Sequence, residues 1–374
     1  MKKITLSLLL TIGALSNIAF AKNLSVIMRN TTLTGNIQLE GYADSNKIYK
    51  RMYETKARFK FLFPVNENMR LVYGLDTYGI VYNNNDNNNI DSPLDNTLLY
   101  FNGMENNLIY NIGKIEVKTP VTGSGVGEAH GTGLITGLRI NKNNTLIFGF
   151  VDNIKDLDQI PGNKTSNNIK IGAIVLQNQY NEFQTWYFNV KNLINNEYVV
   201  NYKYKYISGY GKTATQFRII YAFSNITNKL KNTAGVSSNK QRYFNIDVSY
   251  KSGQTYEKLG YAKTYSGGGI VTLDNFSPIA KIFPAEQKTG ITNTSDNTAY
   301  YLGLGYQQNY KLKYLLGYTN IIDKSSNNND SKEYLLETNY KYSQKLNIKV
   351  YFSYLLNSKI NSNKEFYIGT NYKF

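Results

Sequence analysis

Residues 345–356 read KLNIKVYFSYLL, and residues 365–374 read EFYIGTNYKF. In the first stretch Leu346, Ile348, Val350, Phe352, Tyr354 and Leu356 share one face, while Lys345, Asn347, Lys349, Tyr351 and Ser353 share the other. The second repeats the pattern, with Phe366, Ile368, Thr370, Tyr372 and Phe374 opposing Glu365, Tyr367, Gly369, Asn371 and Lys373. A period of two is the signature of a β-strand with chemically different faces. Each stretch has about the 9–11 residues of a membrane-spanning strand. The alternation recurs upstream. Tyr53, Thr55, Ala57, Phe59, Phe61 and Phe63 oppose Glu54, Lys56, Arg58 and Lys60, and Tyr198 to Tyr206 oppose Asn201, Lys203 and Lys205.

The connections alternate in length. Residues 343–345 and 307–311 make short turns, whereas 357–363 and the polar stretch 323–332 (DKSSNNNDSK) are longer. Short turns at one end and long polar loops at the other are the asymmetry of an outer-membrane barrel. Counting back to residue 32 gives an all-β fold: a transmembrane antiparallel barrel of about 18 strands, with 16 as the alternative even number. A soluble β-sandwich would show a similar alternation. The long strands, the alternating loops and the closing Phe374 favour the barrel.

The composition agrees. The chain has 34 Tyr and 17 Phe against one Trp, only 6 Pro and no Cys. This suits strands and aromatic girdles and excludes a disulfide scaffold or thiol chemistry. No segment after the leader is apolar over the length of a membrane helix. Residues 1–21, MKKITLSLLLTIGALSNIAFA, carry Lys2 and Lys3, an apolar run and a final Ala19-Phe20-Ala21. That is the order of a cleaved signal peptide. Residues 22–31 are then a short lead-in and 32–374 the barrel. Losing the leader leaves 40 basic against 26 acidic residues, a net charge of +14. The basic residues are scattered along strands rather than gathered in a stripe, which argues against nucleic acid as a partner.

The strand faces opposite the apolar ones carry Lys56, Arg58, Lys60, Arg70, Asn201, Lys203, Lys205, Glu337, Asn339, Lys341 and Lys349. A polar, charged interior predicts a water-filled lumen, and 16 to 18 strands leave room for one. So wide a lumen calls for a constriction. Residues 118–133, KTPVTGSGVGEAHGTG, hold five glycines and the only histidine, and they fall in the third long loop. This segment is read as folding inward, with Lys118, Thr122, Ser124, Glu128 and His130 as candidate lining residues. It matches neither the phosphate-loop pattern nor the dinucleotide fingerprint. Catalysis by His130 would need a positioned nucleophile or carboxylate. Basic residues facing a pore favour anions, so a weak anion preference is expected, or little preference if inward acids offset the lysines. Asp152, Asp156 and Asp158 are the only candidate Ca²⁺ ligands. Their spacing is not that of an EF-hand, and a solvated external loop is the better reading, with no cofactor expected.

Several segments resemble the major outer-membrane porin family of Campylobacter and its relatives. These are KEYLLETNYKYSQKLNIKVYFSYL at 332–355 with the closing NYKF, EFQTWYFNV at 182–190, and LIYNIGKIEV at 108–117 followed by HGTGLITGLRI at 130–140. The resemblance implies a homotrimer of about 18-stranded barrels in the bacterial outer membrane. It implies contact with lipid and lipopolysaccharide, an inward third loop and diffusion of small hydrophilic solutes. It also implies a cation preference and Ca²⁺ near the constriction, with Asp152 where a family aspartate sits. Here, however, the loop has Gly123 and Gly127 in the region where the family often has aspartates. The leading function is therefore a general diffusion porin. A surface adhesin or structural barrel working through the loops 83–96 and 266–297 is the alternative, and an outer-membrane hydrolase using His130 is the third.

Overall fold

The computed structural model describes residues 30–44, 51–83, 94–122, 130–155, 167–208, 213–234, 236–269, 294–325, 330–357 and 362–374, with Ile279, Ile282, Pro284, Ala285 and Ile291 between them. The proposed leader, most of the lead-in, and Ser124, Glu128, Asp156 and Asp158 lie outside the described residues.

The strands are β1 (Thr32–Asp44), β2 (Arg51–Pro64), β3 (Met69–Asn83), β4 (Leu94–Glu105), β5 (Leu108–Glu116), β6 (His130–Asn141), β7 (Asn144–Lys155), β8 (Asn167–Gln177) and β9 (Asn181–Val190). They continue as β10 (Ile194–Ser208), β11 (Thr213–Ile226), β12 (Lys240–Ser252), β13 (Thr255–Thr264), β14 (Asn297–Gln307), β15 (Leu312–Asp323), β16 (Ser331–Lys341), β17 (Leu346–Asn357) and β18 (Asn363–Lys373). Among the described residues one short helix, α1 (Asn228–Ala234), lies between β11 and β12. Each strand pairs with the next, and β18 pairs antiparallel with β1 from Asn36↔Lys373 to Asp44↔Glu365. The sheet is thus a closed 18-stranded barrel with no free edge, which satisfies every strand's backbone groups inside the wall.

At one end the connections are short: 65–68, 106–107, 142–143, 178–180, 209–212, 253–254, 308–311 and 342–345. At the other they are 45–50, 84–93, 117–129, 156–166, 191–193, 227–239, 265–296, 324–330 and 358–362, all longer except 191–193. The first and last strands meet at the short-turn end, where the Gly35 N–H donates to the Phe374 carbonyl at 3.2 Å.

Outward positions form an apolar belt bounded by tyrosines. On β14, Tyr300, Leu302, Leu304 and Tyr306 all point out and are exposed. Leu316, Leu336, Phe352 and Ile368 continue the belt at 44–55 % exposure. Exposed leucines bounded by exposed tyrosines are the outer surface that a bilayer requires.

The lumen departs from the uniformly polar interior read from the sequence. Along β5 to β15 the inward residues form an apolar cluster, with Ile169, Phe188, Val199, Ile220, Tyr243, Ala262 and Ala299 at 0–1 % exposure. Inward loop residues cover it. Val117 and Val121 come from the 117–129 connection, and Ile279, Ile282 and Ile291 from the 265–296 connection. The Ile279 N–H donates to the Pro120 carbonyl at 3.4 Å, so the two segments meet inside the barrel. Gly317, on the inner face of β15, provides a seat for Pro284: a Cβ there would collide with the proline ring.

Candidate functional site

The third long connection leaves the wall in a way the pairing makes explicit. The β4–β5 ladder stops at Leu99↔Lys114, while the β5–β6 ladder continues to Glu116↔His130. Glu116 Oε1 accepts from Arg58 Nη1 at 2.6 Å, although Arg58 lies on β2, three strands away. Three strand spacings are about 14 Å of wall, more than two side chains can bridge along it. The end of β5 therefore turns into the lumen. Gly113 supplies the bend. Its φ is 130°, and a Cβ would strike the Leu99 carbonyl. Its ladder partner is Gly133, which is as tightly pressed against the backbone of Phe150. Gly113→Val is expected to cost about 1–3 kcal/mol through backbone strain alone, with the collision adding to it. The check is the urea midpoint of the refolded barrel.

The inward segment is shorter than the 118–133 span read from the sequence, because His130 to Gly133 begin β6 rather than the loop. His130 is buried at 8 % exposure, and Thr122 at 1 %. The Thr122 hydroxyl donates to the Val117 carbonyl at 2.5 Å and lies 2.9 Å from the Thr119 hydroxyl. Thr122 thus closes the turn instead of lining an opening, and His130 is packed into the wall. Lys118 is the exposed member, with its side chain 59 % accessible and its Nζ 3.2 Å from Glu116 Oε2. Asp152 is a partly buried β7 residue. Among the described residues no group of three His, Cys, Asp or Glu side chains could hold a metal.

Ion pairs hold the segment to the wall. Arg58 Nε donates to Asp76 Oδ1 at 2.7 Å and Nη2 to Asp76 Oδ2 at 2.5 Å, while Nη1 takes Glu116. Lys60 Nζ lies 3.2 Å from Glu116 Oε2. The side chains of Arg58, Asp76 and Glu116 are each 6 % accessible. A bidentate guanidinium–carboxylate fork fixes direction as well as charge. Above it, Lys56 bridges Glu40 at 2.8 Å and Glu54 at 3.0 Å. Tyr42 and Tyr78 donate their hydroxyls to the same two acids. Among the described residues four cations (Lys56, Arg58, Lys60 and Lys118) thus face four acids (Glu40, Glu54, Asp76 and Glu116), and the charges of this network balance.

Elsewhere Arg218 grips Asp247 at 2.5 Å with Lys258 3.6 Å away, Lys203 pairs Glu182 at 2.9 Å, and Lys349 pairs Glu337 at 3.1 Å. The register also places Arg70, Lys205 and Lys341 on the inner face, near the short-turn end.

The acids Asp76, Glu116 and Asp247 escaped the sequence reading. Asp76 was visible as an inward position two residues from Gly74 on β3. Glu116 was not, because alternation along LIYNIGKIEV places it outward; only the departure of β5 from the wall turns it in.

No family model matches the chain, and no curated protein does either. Solved structures do match. Acinetobacter baumannii OccAB3 has a TM-score of 0.75 at 12 % identity, with 92 % of this chain and 99 % of that one covered. The fold is that of the Occ proteins. OccAB1 of the same organism gives 0.74 at 11 %, covering 92 % and 96 %, and Pseudomonas aeruginosa OccK8 (OprE) gives 0.73 at 11 %, covering 92 % and 98 %. These neighbours are outer-membrane porins of Pseudomonas and Acinetobacter. They show the barrel fold of this chain and give no support to the particular kinship with the Campylobacter porins.

Proposed function

We propose that the protein is a diffusion porin that passes ions and small hydrophilic solutes across the outer membrane of a Gram-negative bacterium. The observation that carries this is the closed 18-stranded barrel with an apolar outside and a loop segment pinned into its lumen by Arg58. A barrel of this size exceeds what wall side chains alone can fill. Two inward segments then narrow it, and the side chains around them decide what passes. The solved neighbours of the same fold are outer-membrane porins, which supports the same reading. The channel performs no chemistry. His130 is given no catalytic role, since it sits packed at the start of a wall strand.

Three finer points belong to this proposal. The assembly is a homotrimer in contact with outer-membrane lipid and lipopolysaccharide, as the sequence resemblance implies. Kinship with the Campylobacter porins rests on the segments quoted above. No cofactor is needed for passage.

The test is reconstitution of the folded protein in a planar bilayer under a tenfold salt gradient. Stepwise conductance is expected, in groups of three if the trimer holds. The balanced pinch predicts a small reversal potential leaning toward anions. A folded, heat-modifiable protein that produces no steps would overturn the reading and move attention to the external loops.

A further inference from the structure

Charge along the lumen is segregated by depth. At the pinch, cations and acids match. Toward the short-turn end they do not. Arg70 on β3, Arg139 on β6, Lys205 on β10, Lys251 on β12, Lys313 on β15, Lys341 on β16 and Lys373 on β18 all face inward by register. All seven are exposed. None of them has an acidic partner among the described residues, in contrast to Lys203, Lys258 and Lys349 one step deeper. The inward acids on the same portion of the strands, Glu182 and Glu337, are both taken by lysines. The nearby turns carry Glu67, with Glu105 at the end of β4, but also Lys142, Lys311 and Lys345. The seven strands are spread around the circumference, so the excess forms a ring rather than a patch.

The ring has one built recess. A cavity of about 320 Å³ opens where β12 to β16 end. It is lined by Lys251 and Lys313 with Tyr256, Gln307 and Asn339, and by Glu337, which Lys349 already pairs. Lys313 lies opposite Asn339, which places Lys341 diagonally beside it; diagonal neighbours are about 7–8 Å apart. Two ammonium groups line the hollow, that of Lys341 stands beside it, and the Gln254 and Gln307 amides add donors, while the Asn339 amide is spent on Glu337, which leaves no uncompensated carboxylate. That set suits a compact anion with several oxygens and more than one charge. A single carboxylate could satisfy only a part of it.

We infer that the short-turn mouth of the barrel holds a binding site for compact polyvalent anions of the polyphosphate type, centred on Lys251, Lys313 and Lys341. This deepens the channel reading and rests on it for its physiological meaning, though not for the binding itself. Because short turns face the periplasm, the site is presented to the periplasmic side. Solutes arriving from the loop end meet the balanced pinch first. A ring of basic side chains concentrates anions, and the two mouths therefore differ. The effect is electrostatic and fades with salt, since the Debye length falls from about 10 Å at 0.1 M to about 3 Å at 1 M.

The test uses sodium tripolyphosphate on the full chain. In bilayers the orientation of each channel is read from a Ser343→Cys variant, whose turn thiol reacts with an impermeant reagent added to one side. The natural chain has no cysteine to interfere. Tripolyphosphate added at the short-turn side is expected to block at least tenfold more potently than from the loop side at 0.1 M salt. The asymmetry should disappear at 1 M salt and in the Lys251→Gln/Lys313→Gln/Lys341→Gln variant. Equal block from both sides, or asymmetric block unchanged in the triple variant, overturns the inference while leaving the channel intact. If no channels form, calorimetric titration of the barrel in detergent still decides it. Binding lost in the triple variant upholds the site even as the porin reading falls, and no binding sinks both. Lys142→Gln/Lys311→Gln/Lys345→Gln, which removes three turn lysines, serves as a charge-matched control and should leave the block largely in place.

Discussion

Arg58→Ala is expected to lower the stability of the barrel by about 3–5 kcal/mol and to release the inward segment at the same time. The magnitude follows from burial. Removing one partner of a buried, hydrogen-bonded ion pair leaves the others charged and unmatched, and that is where such costs arise. Here two carboxylates, Asp76 and Glu116, would be left together with accessible fractions of only 6 % each. Lys60 would remain beside Glu116, but its 3.2 Å contact is a single point charge in place of a fork. Lys203→Ala makes the contrast. Lys203 and Glu182 are each about one-third accessible, and a pair so exposed is worth at most about 1 kcal/mol.

Stability and loop release can be separated. Glu116→Gln leaves the Arg58–Asp76 fork intact and cuts only the tie to the inward segment. It should therefore shift the urea midpoint less than Arg58→Ala while raising open-channel current noise as much. An Arg58→Ala protein that unfolds within about 0.5 kcal/mol of the parent, the ordinary range for surface changes, would show that the network does not secure the fold.

The contrast between these residues explains what the sequence could reveal. The terminal strands announce themselves because β16 to β18 have one apolar and one polar face, and the two faces meet different media. Strand number followed from the same alternation and from turns rich in Asn, Ser and Gly. The lumen was harder to read. On β8, Ile169, Ile171 and Ala173 point inward while Ile174 and Leu176 point outward. A strand apolar on both faces loses its period of two, and nothing local reveals that its inner face belongs to a cluster completed by residues of two distant connections. The segment HGTG misled for a related reason. Its glycines suggest a loop, yet Gly131 and Gly133 lie in β6 against neighbouring backbone where a Cβ would not fit. Glycine in a strand can mark close approach rather than a turn. The basic ring was partly legible: Arg70, Lys205, Lys341 and Lys373 stood out in alternating runs. Arg139, Lys251 and Lys313 sit at strand ends, where phase is set by the neighbouring strand's register.

The 265–296 connection offers the second large effect. Excising residues 270–293 is expected to raise single-channel conductance by at least about twofold, because a barrel of 16–18 strands is intrinsically wide enough for an aqueous channel and this segment is one of the two that fill it. The wall should survive the change. Gly269 N–H donates to the Thr294 carbonyl at 2.7 Å, so the cut ends already touch and a two-residue Gly-Ser linker joins them without strain. The β13–β14 ladder from Thr255↔Tyr306 to Lys263↔Thr298 lies wholly outside the excision. What is lost is the packing of Ile279, Ile282 and Ile291, each at most 3 % exposed, at about 1.5–3 kcal/mol per side chain. The Ile279–Pro120 hydrogen bond that props the third connection goes with it. Both constricting segments are therefore loosened by one deletion, whereas Glu116→Gln frees only one. Gly317→Leu is the milder companion. It fills the seat of Pro284, displaces the segment without removing it, and should change conductance by less than the deletion does. A deletion variant that stays heat-modifiable yet conducts like the parent would show that solutes do not pass beside this segment, and that the third connection alone sets the width of the passage.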